Sequence, residues 1–132
     1  ISTGAIADIE FETQNSKIKK ESMGTNLPFR AATDILKEIL KIKKNQKIVS
    51  FAAETETTKD VFQEKMQRKP VDLMIGNKVS SGLLKDSTLE GFAVSSGEYY
   101  FINSKTISGP KTMSKSELGS ALVEWFEGKT SW

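Results

Sequence analysis

Neither cysteine nor histidine occurs anywhere in the 132 residues. Without cysteine there is no disulfide framework, zinc–thiolate site or thiol nucleophile. Without histidine the commonest general base and metal-binding side chain is missing as well. Any catalysis therefore rests on lysine, aspartate, glutamate, asparagine and backbone groups. That set suits phosphate chemistry, where positioning and electrostatics carry most of the work. A dominant charge is also lacking. Nineteen basic and 17 acidic residues leave a net charge of +2, and neither half is strongly basic, so a nucleic-acid surface is not expected. No apolar run approaches the ~20 residues of a membrane span, and the first residues carry no signal-peptide pattern. The expectation is a soluble cytoplasmic protein of one small domain, long enough to bury a core of its own.

What is present centres on residues 47–77. Ile48-Val49-Ser50-Phe51-Ala52-Ala53 is too short for a helix and has the composition of a buried strand. After the polar turn Glu54-Thr55-Glu56-Thr57, residues 58–68 read as a helix, with hydroxyls to cap it and Asp60 in its first turn to suit the dipole. Pro70 stops that helix, and Leu73-Met74-Ile75 is a second short apolar strand ending at Gly76-Asn77. Strand, helix and strand over this length make a βαβ unit, whose crossover helix brings two parallel strands side by side. In such sheets ligands bind beyond the carboxyl ends of the strands, here residues 51–54 and 76–77. Lys65 and Lys69 are four apart on one helix face, with Arg68 beside them. Like charges at that spacing cost roughly 0.2–0.5 kcal/mol in an isolated helix. Either this edge is a solvated face, or a polyanion lies against it and offsets the repulsion.

The flanks are plainer. Small residues lead into Asp8, which reads as a turn former or a functional carboxylate, and residues 9–16 read as a polar connector. Lys17-Ile18-Lys19-Lys20 is a short basic run, and Met23-Gly24-Thr25-Asn26 a turn. Residues 27–31 suggest a short strand, although Pro28 restricts it to an edge. Ile35, Leu36, Ile39, Leu40 and Ile42 repeat at helical spacing, with Thr33 as the expected N-cap and an anion site in the free amides of that helix start. Residues 81–88 read as a loop. Gly91-Phe92-Ala93-Val94 and Tyr99-Tyr100-Phe101-Ile102 read as a β-hairpin turning at Ser95-Ser96-Gly97. Ser114 and Glu117 form a capping box for a last helix, which Gly128 ends.

Phe51-Ala52-Ala53-Glu54-Thr55, Lys65, Lys69, Asp72-Leu73 and Asn77 together resemble the C-terminal half of bacterial phosphopantothenate–cysteine ligase, also called phosphopantothenoylcysteine synthetase. The matched elements run in order over nearly the whole chain. Ala5-Ile6-Ala7-Asp8 fits the family's A-x-A-D, and Lys17-Ile18-Lys19-Lys20, beginning nine residues beyond Asp8, fits its K-x-K-K. Ala32-Thr33-Asp34-Ile35-Leu36 stands where the family reads Asn-Pro-Asp-Ile-Leu. Asn77-Lys78-Val79 stands for Asn-Asp-Val, with Lys78 replacing an acid.

The resemblance implies an α/β fold, a Rossmann-like (ribokinase-like) parallel sheet with flanking helices and an antiparallel β-hairpin. Parallel strands are expected to end near Asp8, Ala52 and Ile75, with the hairpin around Gly97. It implies nucleotide contacts at Ser2, Thr3, Gly4, Asp8, Lys17, Thr33, Asp34, Ile35, Leu36, Phe51, Lys65 and Lys69, with Lys17 also catalytic and no dedicated metal ligand. The implied substrates are 4′-phosphopantothenate, L-cysteine and CTP, with Mg2+ held mainly by phosphate oxygens and a carboxylate. The pantothenate carboxylate attacks the α-phosphate of CTP and releases pyrophosphate. The cysteine amine then attacks the acyl-cytidylate and releases CMP. A homodimer is implied, and a flavin-dependent decarboxylase is often fused in front of the family's ligase. The family's N-terminal half, with a glycine-rich turn and an essential asparagine, has no counterpart here, and no G-x-G-x-x-G occurs. The chain is thus expected to be the C-terminal portion of a longer enzyme, inactive alone. The competing reading is a non-catalytic nucleotide-binding or assembly module of the same fold.

Overall fold

The computed structural model describes residues 7–12, 28–79 and 95–132, and the chain divides into two compact units, Ile1–Ile42 and Lys43–Trp132. In the first unit, β1 (Ile9–Phe11) pairs antiparallel with β2 (Phe29–Ala31), with Ile9 opposite Ala31 and Phe11 opposite Phe29. Ala32 N–H donates to the Asp8 carbonyl at 2.9 Å, and Glu12 N–H to the Pro28 carbonyl at 3.2 Å. This corrects one expectation: residues 9–11 are a strand rather than connector. Residues 1–6, which would form the expected parallel strand ending near Asp8, lie outside the described residues. Ile-Glu-Phe against Phe-Arg-Ala alternates apolar and charged side chains, and Arg30 bonds Glu10 across the pair at 2.5 Å. Helix α1 (Ile35–Ile42) follows. Its cap is Asp34 rather than Thr33: the Asp34 carboxylate accepts the Lys37 N–H at 3.1 Å.

The second unit is organised on a four-stranded sheet in the order β3 (Val49–Glu54), β4 (Leu73–Lys78), β5 (Ser96–Ile102), β6 (Ile107–Ser114). β3 and β4 are parallel and joined by α2 (Lys59–Arg68), the expected βαβ unit. β4, β5 and β6 run antiparallel to their neighbours. Thr58 caps α2 by accepting the Val61 N–H. On one face of the sheet Leu73, Ile75, Tyr99 and Phe101 pack with Leu118 of α3 (Lys115–Phe126). On the other face Phe62 and Met66 of α2 are buried, Phe62 lying against Gly76 and Tyr100. Ser114 and Glu117 make the expected capping box. Gly128, at φ +75°, ends α3 with its N–H on the Trp125 carbonyl.

The hairpin turns elsewhere than expected. Gly97 lies inside β5, opposite Met113, and the chain reverses at residues 103–106. The reason is Asn103, whose side-chain oxygen accepts the N–H groups of Lys105 and Thr106 at 2.8 Å each, making a turn from a side chain. Residues 91–94, the first strand of the expected hairpin, and 81–88 lie outside the described residues. Pro110 belongs to β6, which forms an edge of the described sheet, so its missing N–H costs no ladder bond there.

Candidate functional site

The carboxyl ends of β3 and β4 lie side by side, with Ala53 opposite Asn77 and Glu54 opposite Lys78. Val79 N–H donates to the Glu54 carbonyl at 2.8 Å and holds the two ends together past the last pair. Strand alternation sorts the side chains. Ala52 is opposite Gly76, which faces Phe62, so Ala52 and Glu54 lie on the α2 side of the sheet. Phe51 projects on the other side and is 61% exposed.

α2 runs back along β3, and side chains on a helix tilt toward its N-terminus. Lys65 therefore reaches up toward the carboxyl end of β3, where its ammonium donates to Glu54 Oε1. The two side chains are 32% and 18% exposed, so the pair is partly withdrawn from water. Arg68 pairs loosely with Glu64 at 3.8 Å. The basic edge of α2 is thus interleaved with acids. Lys69 follows Lys65 by one turn and closes the helix, its N–H donating to the Lys65 carbonyl at 3.0 Å. Spacing alone does not pair Lys65 with Glu54. The signal is an acid at the end of the first strand of a βαβ unit, on the parity that faces the crossover helix.

Behind the site, Asp72 ties the start of β4 to the segment before β3. Its carboxylate accepts Lys43 Nζ at 2.8 Å and the Ile48 N–H at 2.7 Å. Burial would push the Asp72 carboxyl up, but the hydrogen bonds from Lys43 and the Ile48 amide, with the Lys43 charge, outweigh it and hold the group below the usual carboxylate range.

Asp8 is exposed beside β1 in the first unit, and in that same unit Thr33, Asp34, Ile35 and Leu36 form the start of α1. One amide of that helix start is taken by the Asp34 carboxylate. Of the expected contacts, Ser2, Thr3, Gly4 and Lys17 lie outside the described residues. In the second unit Lys65 lies on α2 and Lys69 is its C-cap, while Phe51 projects from β3 on the side of the sheet away from α2. Among the described residues no group of three or more Asp or Glu side chains gathers to hold a metal, and no helix is long and apolar enough to cross a membrane.

Residues 1–128 match the family described as the DNA/pantothenate metabolism flavoprotein C-terminal domain. The coenzyme A biosynthesis bifunctional protein CoaBC of Bacillus subtilis is 38% identical over 82 residues, which are 61% of this chain and 20% of that protein. Its counterpart in Haemophilus influenzae is 32% identical over 84 residues, 62% of this chain and 21% of that protein. The chain thus spans about a fifth of these curated relatives. Among solved structures, the C-terminal domain of a CoaBC protein superposes with a TM-score of 0.56 at 18% identity, covering 76% of this chain and 43% of that one. The DNA/pantothenate metabolism flavoprotein of Streptococcus pneumoniae gives 0.59 at 16% identity, covering 86% and 46%. These two likenesses speak for the α/β fold. With the match running over 128 of 132 residues, the chain belongs to the family of DNA/pantothenate metabolism flavoprotein C-terminal domains.

Proposed function

We propose that this chain is the C-terminal portion of a phosphopantothenate–cysteine ligase acting in coenzyme A biosynthesis, and that it supplies lysines for the triphosphate of CTP. The observation that carries the reading is Lys65, delivered by a βαβ crossover helix to the carboxyl end of a parallel strand, the place where α/β sheets take their ligands. The family match and the coenzyme A names of the relatives support the pathway. In this reading 4′-phosphopantothenate attacks the α-phosphate of CTP through its carboxylate oxygen, pyrophosphate leaves, and the amine of L-cysteine displaces CMP from the acyl-cytidylate. Lys65 and Lys69 hold the triphosphate, and Lys17 meets the charge that develops as pyrophosphate departs. Phe51, Asp8, the helix start at Thr33 to Leu36, and Ser2, Thr3 and Gly4 complete the nucleotide contacts. Magnesium arrives with the triphosphate, held mainly by its oxygens.

The remaining substrate and assembly contacts come from the preceding half of the ligase, from a second copy in a homodimer, and from a fused flavin-dependent decarboxylase. Calorimetric titration of CTP into the complete protein tests the reading. Lys65→Gln and Lys69→Gln each weaken CTP binding by about 1.5–3 kcal/mol, the range for charged hydrogen bonds. Unchanged affinity in both returns the helix edge to a solvated face.

A further inference from the structure

Glu54 presents an electrostatic difficulty to the reading above. A carboxylate 18% exposed sits beside the lysine meant for a polyanion. When Lys65 turns to phosphate, Glu54 is left half-buried with a like charge approaching, and an uncompensated buried charge opposes binding. The register supplies a second cation. Lys78 is opposite Glu54 in the parallel ladder, so the two side chains leave the same face of the sheet at neighbouring positions. Lys78 is exposed, and no ion pair engages it among the described residues.

We propose that Lys78 is a positioning residue that takes over the Glu54 carboxylate when Lys65 turns to an anionic ligand. The exchange keeps Glu54 paired in both states and releases the Lys65 ammonium without leaving a buried charge. Lys78 itself does not touch the anion. The inference rests on Lys65 being a phosphate contact, so the test includes that residue.

The experiment is calorimetric titration of CTP, and separately of inorganic tripolyphosphate, into the complete protein and five variants. Lys78→Gln is expected to weaken both by about tenfold, a coupling of ordinary size for neighbouring charges. Lys78→Arg, which keeps a cation, restores them. In a Glu54→Gln background, where no charge needs a new partner, Lys78→Gln changes neither. Because Lys78 is exposed, its replacement leaves folding intact, and a thermal melt alongside verifies this. Unchanged affinity in Lys78→Gln overturns the inference. So does an equal loss in the Glu54→Gln background, which makes Lys78 a direct contact. If Lys65→Gln leaves both affinities unchanged, Lys65 is no phosphate contact and the premise of the exchange fails, a result separate from either.

Discussion

At the scale of single residues, Asp72 holds the start of the sheet and Lys65 pairs with Glu54 at its carboxyl end. Asp72 accepts from a lysine and a backbone amide, and with its carboxylate gone two donors near the start of the sheet lose their acceptor. Asp72→Ala is expected to destabilise the protein by about 2 kcal/mol, the scale of hydrogen bonds to a charged group, measured by urea unfolding. The folded protein holds this carboxyl below its ordinary value of 3.8. The stability it contributes is therefore complete above that value and is lost as pH falls through the depressed one. Wild type should lose more stability than Asp72→Ala between about pH 5 and pH 2; parallel curves contradict this. Lys65 reaches Glu54 across eleven residues, and its charge sits where a ligand would meet it.

At the scale of elements, close approach and capping decide what the sequence tolerates. A Cβ on Gly76 would lie 2.5 Å from two ring carbons of Phe62, so Gly76→Ala forces the buried ring to move. A loss of about 1–3 kcal/mol is expected, and Phe62→Leu in the same chain should recover part of it. Thermal melts of the single and double variants check this, and additive losses contradict it. Ser114→Ala should cost about 1 kcal/mol through loss of the α3 cap.

The βαβ unit and the α3 capping box were legible in the sequence because they rest on local chemistry: an apolar run, a hydroxyl cap and a proline stop. The hairpin was misread because a Ser-Ser-Gly run and an Asn-Ser-Lys-Thr run are both turn chemistry. The Asn103 side chain settles the competition by binding two amides. β1 escaped notice because three residues alternating among acids carry almost no periodic signal. Thr33 and Asp34 are both good caps, and the helix begins one residue later than Thr33 requires. Of the candidate site, the four-residue spacing of Lys65 and Lys69 was legible, but the backbone leaves helical geometry at Lys69, so spacing alone does not place its side chain. The pairing of Lys65 with Glu54 was not legible, since it depends on strand parity against a helix.

At the scale of the whole molecule, the two edges of the described four-stranded sheet differ. β6 carries Pro110, and its pairing with β5 slips between Tyr99 and Phe101, features that blunt an edge. β3 has no proline, and Phe51 is exposed on it. In the proposed enzyme the preceding half of the domain continues the sheet at β3. Hydrogen exchange should then be slower at β3 amides in the complete protein than in this chain alone, while rates at β5 match; equal rates at β3 contradict that arrangement.

The central claim is that these residues belong to a CTP-dependent ligase, and product formation tests it most directly. The complete protein, given 4′-phosphopantothenate, L-cysteine, CTP and magnesium, should yield 4′-phosphopantothenoyl-L-cysteine with one pyrophosphate per product, detected by mass spectrometry. Lys17→Gln should lower turnover by about 100-fold, the scale of a lost transition-state contact, while weakening CTP binding far less. Absence of product from the complete protein, or full turnover in Lys17→Gln, would contradict the account.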